Sequence, residues 1–340
     1  LSSDIASYER GSTGEQTQGA GAVAQWVCEN PQLLEVQLQN AGTASQYRGL
    51  DFRKPAKRYL SEQYAPNKVH LHDFPVFNGK FSTNCFIDAT IKALDSMTKK
   101  LEVSLEDYLT HVSFVFAHRP YQRMPETSLG MAYLTHLAQT ETNREAFNKL
   151  AGTAGLNADV IRNEVGAQQE LSCFGTVDAV HSTPTPNLTK LLRTFRENTE
   201  YQELVCAKLR LGADTVSELG NLYTASLPAW VGAGLEDAHR QNLEIQHEAI
   251  LALGYGSGDA AEAIPMCVPS DWRKSATRLN NQKALQNSID LTQTQYHDLH
   301  AGRPINLEYE PKHEFFIKHV GKGAVENIND IGVDFYDFKV

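Results

Sequence analysis

The sequence predicts an α/β fold, and three features of its apolar pattern carry that expectation. Val112 to Ala117 (VSFVFA) and Ala249 to Leu253 are short, near-continuous apolar runs, as in strands buried on both faces. From Thr83, in contrast, Phe86, Ile87, Ile91 and Leu94 recur at helical spacing. Buried strands alternating with amphipathic helices over 340 residues fit one large domain or two smaller ones.

Taken in order, residues 1–18 are polar and turn-rich, and Gly19 to Val27 and Leu33 to Leu38 read as two strands paired with each other. Residues 45–80 are irregular, with Pro55, Pro66 and Pro75, a loop of the kind that covers a site or an interface. The helix from Thr83 stops near Lys99-Lys100, whose charges suit a helix C-terminus. Ser104-x-x-Asp107 is a capping signal for a second short helix. After the strand at 112–117 come His118 and Pro120, then a helix over Glu126 to Thr140.

Residues 141–214 read as polar and largely helical, broken by Ser182-Thr183-Pro184-Thr185-Pro186. Leu227 to Leu243 is a helix rich in small residues, and the strand at 249–253 leads through Gly254-Tyr255-Gly256-Ser257-Gly258 into an apolar run ending at Val268. The tail is polar, with a late helix and edge strands at Phe315–Val320 and Val333–Val340.

A net charge of −10 argues against nucleic acid as a partner, because binding phosphates needs clustered Lys and Arg. A local basic patch would still admit an anionic small ligand. With no apolar run of 18 residues, we expect no membrane span, and the opening residues carry no signal-peptide pattern. The chain begins at Leu1 rather than Met, so we expect a processed or truncated product. Five widely spaced cysteines without a C-x-x-C pair read as reduced thiols of a cytoplasmic protein.

His118 stands where a buried strand ends, and ligands bind at the carboxyl ends of strands in α/β sheets. From position alone, a strand-capping histidine is the commoner role, and proton transfer the rarer one. Asn221 precedes an apolar run, either as an ordinary helix cap or as a donor toward developing negative charge. Gly254 to Gly258 admits a ligand close to the backbone but matches neither a dinucleotide fingerprint nor a P-loop. Cys173 lacks the strand and cation that activate a thiol, and Cys28, Cys85, Cys206 and Cys267 read as small buried hydrophobes. The pairs His70/His72 and His297/His300 lack a third ligand, so no metal is expected.

Read together, these segments resemble one family. Ser12 to Ala24 (STGEQTQGAGAVA) resembles the GGE-P-TQGAGAVA stretch of hydroxymethylglutaryl-CoA (HMG-CoA) synthases, with Gln16 in place of proline. Asp51-Phe52-Arg53-Lys54-Pro55 is similar to that family's D-F-W/Y-R/K-P. Pro75 to Ser82 is similar to its P-V-V-D-G-K-L-S, with Asn78 for aspartate. Ala117-His118-Arg119-Pro120-Tyr121 resembles F-H-x-P-F/Y, Gly220 to Leu227 resembles G-N-x-Y-T/S-x-S-L, and Gly254 to Gly258 resembles S-Y-G-S-G.

The resemblance implies a thiolase-like fold, layered α-β-α-β-α with mixed sheets, in which the N-terminal part of the first half is missing. Residues 1–80 would be the remnant of that half plus a connecting loop. Residues 81–340 would be the second half, with a helical insertion near 155–214. It implies an acyltransferase that adds an acetyl group to a β-ketoacyl thioester such as acetoacetyl-CoA, as in the mevalonate pathway of isoprenoid biosynthesis. His118, Asn221 and Ser257 would be catalytic; Arg119, Tyr121, Arg123, Tyr223 and Gly256 would bind substrate. Coenzyme A (CoA) thioesters are then substrates and no cofactor is expected. The family's nucleophilic cysteine and catalytic glutamate lie upstream of the first match, so a complementary N-terminal chain is the expected partner, within a homodimer. Two other readings are a relative acting on carrier-protein substrates in polyketide β-branching and a scaffold subunit without activity.

Overall fold

The first residues form a strand where the sequence showed only polar turns. In the computed structural model, β1 (Ser2–Ala6) pairs antiparallel with β2 (Gly19–Val23), with Asp4 opposite Gly21 and Ala6 opposite Gly19. The structure describes residues 1–48, 51, 75, 78–167, 183–257, 259–286, 288–301, 303–310, 312–321 and 334–340. The expected pairing of Gly19–Val27 with Leu33–Leu38 is therefore corrected. The second segment contributes only the two-residue strand β3 (Glu35–Val36), which pairs with a distant strand. The signal for β1 was weak because its alternation rests on Ile5 and Ala6, and Ile5 faces solvent.

The central sheet is mixed. Its strands are β3, β4 (Gly42–Ser45), β5 (Phe114–Ala117), β6 (Ala249–Gly256) and β7 (Ala260–Cys267), in the order β3-β7-β6-β5 with β4 also on β7. β5 and β6 run parallel, Ala117 beside Leu253, and β6 and β7 form an antiparallel hairpin. Val115, Phe116, Ala117 and Ile250 to Leu253 are all buried, as their unbroken apolar runs require.

Helix α1 (Gly79–Leu101) starts earlier than its periodicity suggested, because Asn78 Oδ1 accepts from the Phe81 amide at 3.0 Å and caps it. It ends at the lysine pair as expected. Ser104 Oγ accepts from the Asp107 amide at 2.9 Å and caps α2 (Leu105–His111). α3 (Arg123–Gln139) is buried nearly all round, from Met124 to Ala138, which is why its sequence lacks a polar face.

α4 (Arg144–Thr153), α5 (Ala158–Gly166) and α6 (Pro186–Phe195) pack around α3, with Tyr133 stacked on Phe195 at 5.6 Å between centroids. The short α7 (Ala213–Ser217) leads toward α8 (Ser226–Arg240), which lies on β5. There Trp230 meets Phe116 edge-on at 6.2 Å and donates its Nε1 hydrogen to the Leu211 carbonyl at 2.9 Å.

By its contacts the chain forms two compact units, Leu1–Arg53 with Pro75–Gln286, and Lys54–Phe74 with Asn287–Val340. In the second, Thr292 and Gln295 form a capping box for α9 (Gln293–His300), and β8 (Glu314–Val320) pairs antiparallel with β9 (Asp334–Lys339). These are the late helix and edge strands that the tail predicted.

At Gly42, β4 touches α1 so closely that a Cβ would enter the backbone of Ala93 and Met97. Backbone cannot swing aside as a side chain can, so we expect Gly42→Ala to cost more than about 2 kcal/mol. Gly152→Ala, in open space on α4, should change stability by less than about 1 kcal/mol, and toward stabilisation. Urea midpoints of the two variants check both statements; equal midpoints would contradict this packing.

Candidate active site

The parallel register of β5 and β6 sets the site. Strands running side by side in one direction end at one edge, and the His118 amide extends the ladder by donating to the Leu253 carbonyl at 2.8 Å. His118 therefore emerges beside Tyr255, the residue two positions beyond Leu253. Its ring lies 6.4 Å from that of Tyr255 and 6.3 Å from Phe86 of α1, while Tyr255 and Phe86 are 4.9 Å apart.

Aromatic walls strip water from the imidazole. Burial pushes the His118 pKa from 6.5 down to about 4, opposed by a hydrogen bond to the Tyr223 backbone carbonyl. The ring is neutral near pH 7, and its N–H toward Tyr223 leaves the second ring nitrogen as an acceptor.

Asn221 is delivered by two glycines. Gly220 has φ +70°, and a Cβ there would enter the Gln18 carbonyl; a Cβ on Gly19 would enter the carbonyls of Leu219 and Asn221. The segments around Gly19 and Gly220 thus interlock through bare backbone, and the Asn221 amide donates to the Thr17 carbonyl at 2.9 Å. Asn221, 2% exposed, donates Nδ2 to the Tyr8 hydroxyl at 3.1 Å and accepts the Tyr223 amide on Oδ1 at 3.0 Å. It holds the turn into α8, as a cap does, and it also faces the cavity. Tyr223 adopts φ +45°, a strained value for a non-glycine residue beside the site.

His118, Asn221 and Ser257 line one cavity of about 1200 Å³, together with Tyr8, Tyr121 and Tyr223. Ser257 is exposed in the turn between β6 and β7. The other expected substrate contacts divide. Tyr121 and Tyr223 are on the wall, whereas Arg123 and Gly256 are exposed and absent from the described lining.

Arg119 corrects the expectation. It is buried, donates to the Ala213 carbonyl at 2.9 Å and to Ser217 Oγ at 2.8 Å, and lies 5.0 Å from the Trp230 ring. Its guanidinium ties α7 to the strand end and lines a separate cavity of about 430 Å³.

Tyr8 on the wall was not singled out from sequence, and Asp51 and Tyr255 were quoted there as motif residues but not as site residues. Tyr8 sits in a stretch with no apolar period, and its partner Asn221 is 213 residues away, so no local signal marks it. Among the cysteines, Cys85 is buried as expected, but Cys28 is exposed and Cys206 and Cys267 are half-buried, which corrects their reading as core residues. Cys173, His70 and His72 lie outside the described residues. Among the described residues no three His, Cys, Asp or Glu side chains gather as metal ligands, and no helix is long and apolar enough to cross a membrane.

No protein-family model matches the chain. It is 26% identical over 331 residues to the hydroxymethylglutaryl-CoA synthase of Haloferax volcanii, covering 95% of this chain and 65% of that protein. It is 26% identical over 339 residues to the synthase of Schizosaccharomyces pombe, covering 96% and 63%, and 25% identical over 276 residues to the human mitochondrial synthase, covering 79% and 46%. The chain thus spans less than two thirds of the length of these relatives. Among solved structures, MvaS in complex with 3-hydroxy-3-methylglutaryl coenzyme A superposes with a TM-score of 0.64 at 20% identity, over 99% of this chain and 66% of that one. An HMG-CoA synthase complexed with CoA gives a TM-score of 0.54 at 18% identity, over 99% and 64%. The fold is the thiolase-like one that the motifs implied, and over nearly its whole length the chain is similar to hydroxymethylglutaryl-CoA synthases.

Proposed function

We propose that this chain forms the larger part of an acyl-thioester condensing enzyme, which joins an acetyl group to the ketone carbon of a β-ketoacyl thioester such as acetoacetyl-CoA. The observation that carries the reading is the convergence of His118, Asn221 and Ser257 on one cavity. A nucleophilic cysteine and a basic glutamate, supplied by a complementary N-terminal chain, would hold the acetyl group and remove its methyl proton. In support, Ile5, Trp26, Val27 and Leu38 leave apolar surface exposed on the N-terminal segment, with Trp26 at 91% and Val27 at 93%.

As the carbon–carbon bond forms, negative charge grows on the former ketone oxygen. That charge raises the proton affinity of the site, so the second ring nitrogen of His118 can take a proton from water, pass it to the oxygen and return to its neutral form. Asn221, fixed at both ends of its amide, and the Ser257 hydroxyl would orient the thioester oxygens at no cost in reorganisation. Water then releases the product from the cysteine.

Two outcomes test this in the enzyme reconstituted with its N-terminal chain. His118→Ala should lower the condensation rate at least about a hundredfold, and an unchanged rate would favour a scaffold role. The acid limb assigned to His118 should lie near 4 rather than 6.5, since the buried ring stays neutral until then. A limb at the ordinary histidine value would put the ring in open water. Competition between acetoacetyl-CoA and the same group on a carrier protein identifies the acceptor, and native mass spectrometry should find a second polypeptide bearing the cysteine and glutamate.

A further inference from the structure

The chain leaves β5 at His118, and the next side chain turns into the protein. Arg119 is 7% exposed, and its backbone amide donates to Ser226 Oγ, on the first residue of α8, at 3.1 Å. Its guanidinium crosses α8 one helical turn further along, 5.0 Å from the centroid of the Trp230 ring. Beyond that ring it reaches α7. There Nη1 donates to the Ala213 carbonyl at 2.9 Å and Nη2 to Ser217 Oγ at 2.8 Å. Arginine stays charged when buried, and its planar fork suits two acceptors held side by side.

The far anchor is itself fixed. A Cβ on Gly212 would enter the backbone of Ala233 and Gly234, so α7 begins in direct backbone contact with α8. Asp237 accepts the Gly212 amide at 3.0 Å, and Trp230 donates to the Leu211 carbonyl just before it. Ser217 Oγ donates to the Ala213 carbonyl at 2.8 Å, which joins the two acceptors of Arg119 to each other.

One short segment thus grips the strand end twice. The Tyr223 carbonyl holds the His118 ring, and Ser226, three residues on, holds the amide of the residue after it. Past Arg119, Pro120 and Tyr121 line the cavity. We propose that Arg119 is a positioning residue: pinned to Ser226 by its amide and to α7 by its guanidinium, it keeps the His118 ring against the Tyr223 carbonyl. The consequence for catalysis rests on the condensing-enzyme reading; the hold on the ring does not.

Nuclear magnetic resonance of the histidine rings in the full chain reads that hold directly. In the wild type His118 should show one tautomer, a ring N–H slow to exchange with water, and a titration midpoint near 4. Arg119→Met keeps an apolar stem over Trp230 and removes every guanidinium donor. Ser226→Ala frees the Arg119 amide and leaves all charges in place. Both should speed exchange of the ring N–H at least about tenfold and carry the midpoint more than halfway toward 6.5. The rise follows because a freed ring gains water, which outweighs the lost carbonyl. A folded Arg119→Met with unchanged exchange and midpoint would overturn the proposal. So would a midpoint that rises in Arg119→Met alone, since loss of a nearby cation does that without moving the ring. Where Arg119→Met does not fold, Ser217→Ala removes one of its two anchors and carries the same expectation.

Kinetics of the reconstituted enzyme read the consequence. Arg119→Met and Ser226→Ala should each lower kcat for condensation about tenfold and leave KM for acetoacetyl-CoA within about twofold of wild type. Lost stability alone would reduce the amount of active enzyme and leave the histidine midpoint where it was. An unchanged kcat beside a freed ring would overturn the positioning role. If the wild type turns over no thioester while the ring behaves as expected, the functional reading fails and the hold on His118 stands.

Discussion

The pairing of β5 with β6 in parallel is the constraint on which the rest depends. Parallel strands bring two carboxyl ends to one edge, and here those ends carry His118 on one strand and Tyr255-Gly256-Ser257 on its neighbour. A shift of that register by one residue would turn His118 to the other face of the sheet and part it from Tyr255 and Phe86. The buried runs at 114–117 and 249–253 thus do more than fill the core, because their pairing sets the distance between His118 and the Tyr255–Ser257 turn, distant in sequence.

The third group arrives by a different device. Asn221 is not on the sheet; it is fixed because Gly19 and Gly220 let two backbones touch where any Cβ would intrude. The family-like glycines of Gln18-Gly19-Ala20-Gly21 and Gly220-Asn221 therefore serve one contact, made from both sides. That contact also places Tyr8 against Asn221 and sets the strained turn at Tyr223, whose carbonyl holds the His118 ring. Sheet edge and interlocked loops meet at a single imidazole, which is half-buried, neutral near pH 7 and oriented.

Much of this was legible in the sequence, and for definable reasons. Buried strands announce themselves by unbroken apolar runs, and α1, α2, α3 and α8 by period, caps and terminal charges, so each fell within a few residues of its observed span. The strand β1 and the partner of β3 were misread because short, half-exposed strands take their pairing from distant chain rather than from local pattern. His118, Asn221 and Ser257 were singled out through a motif resemblance, not through residue type alone, and the structure brings them to one cavity. Arg119 was misassigned because an arginine beside a strand end reads the same whether it meets a phosphate or the carbonyl of Ala213.

The central claim is that one ligand meets all three groups at once. Nuclear magnetic resonance of chain labelled in histidine and asparagine side chains, titrated with acetoacetyl-CoA, addresses it directly. The account predicts that the His118 imidazole and the Asn221 amide shift along one common binding curve, and that Ser257→Ala weakens that curve for both signals together. Signals that move on separate curves, or an Asn221 amide that ignores the ligand while His118 responds, would contradict it.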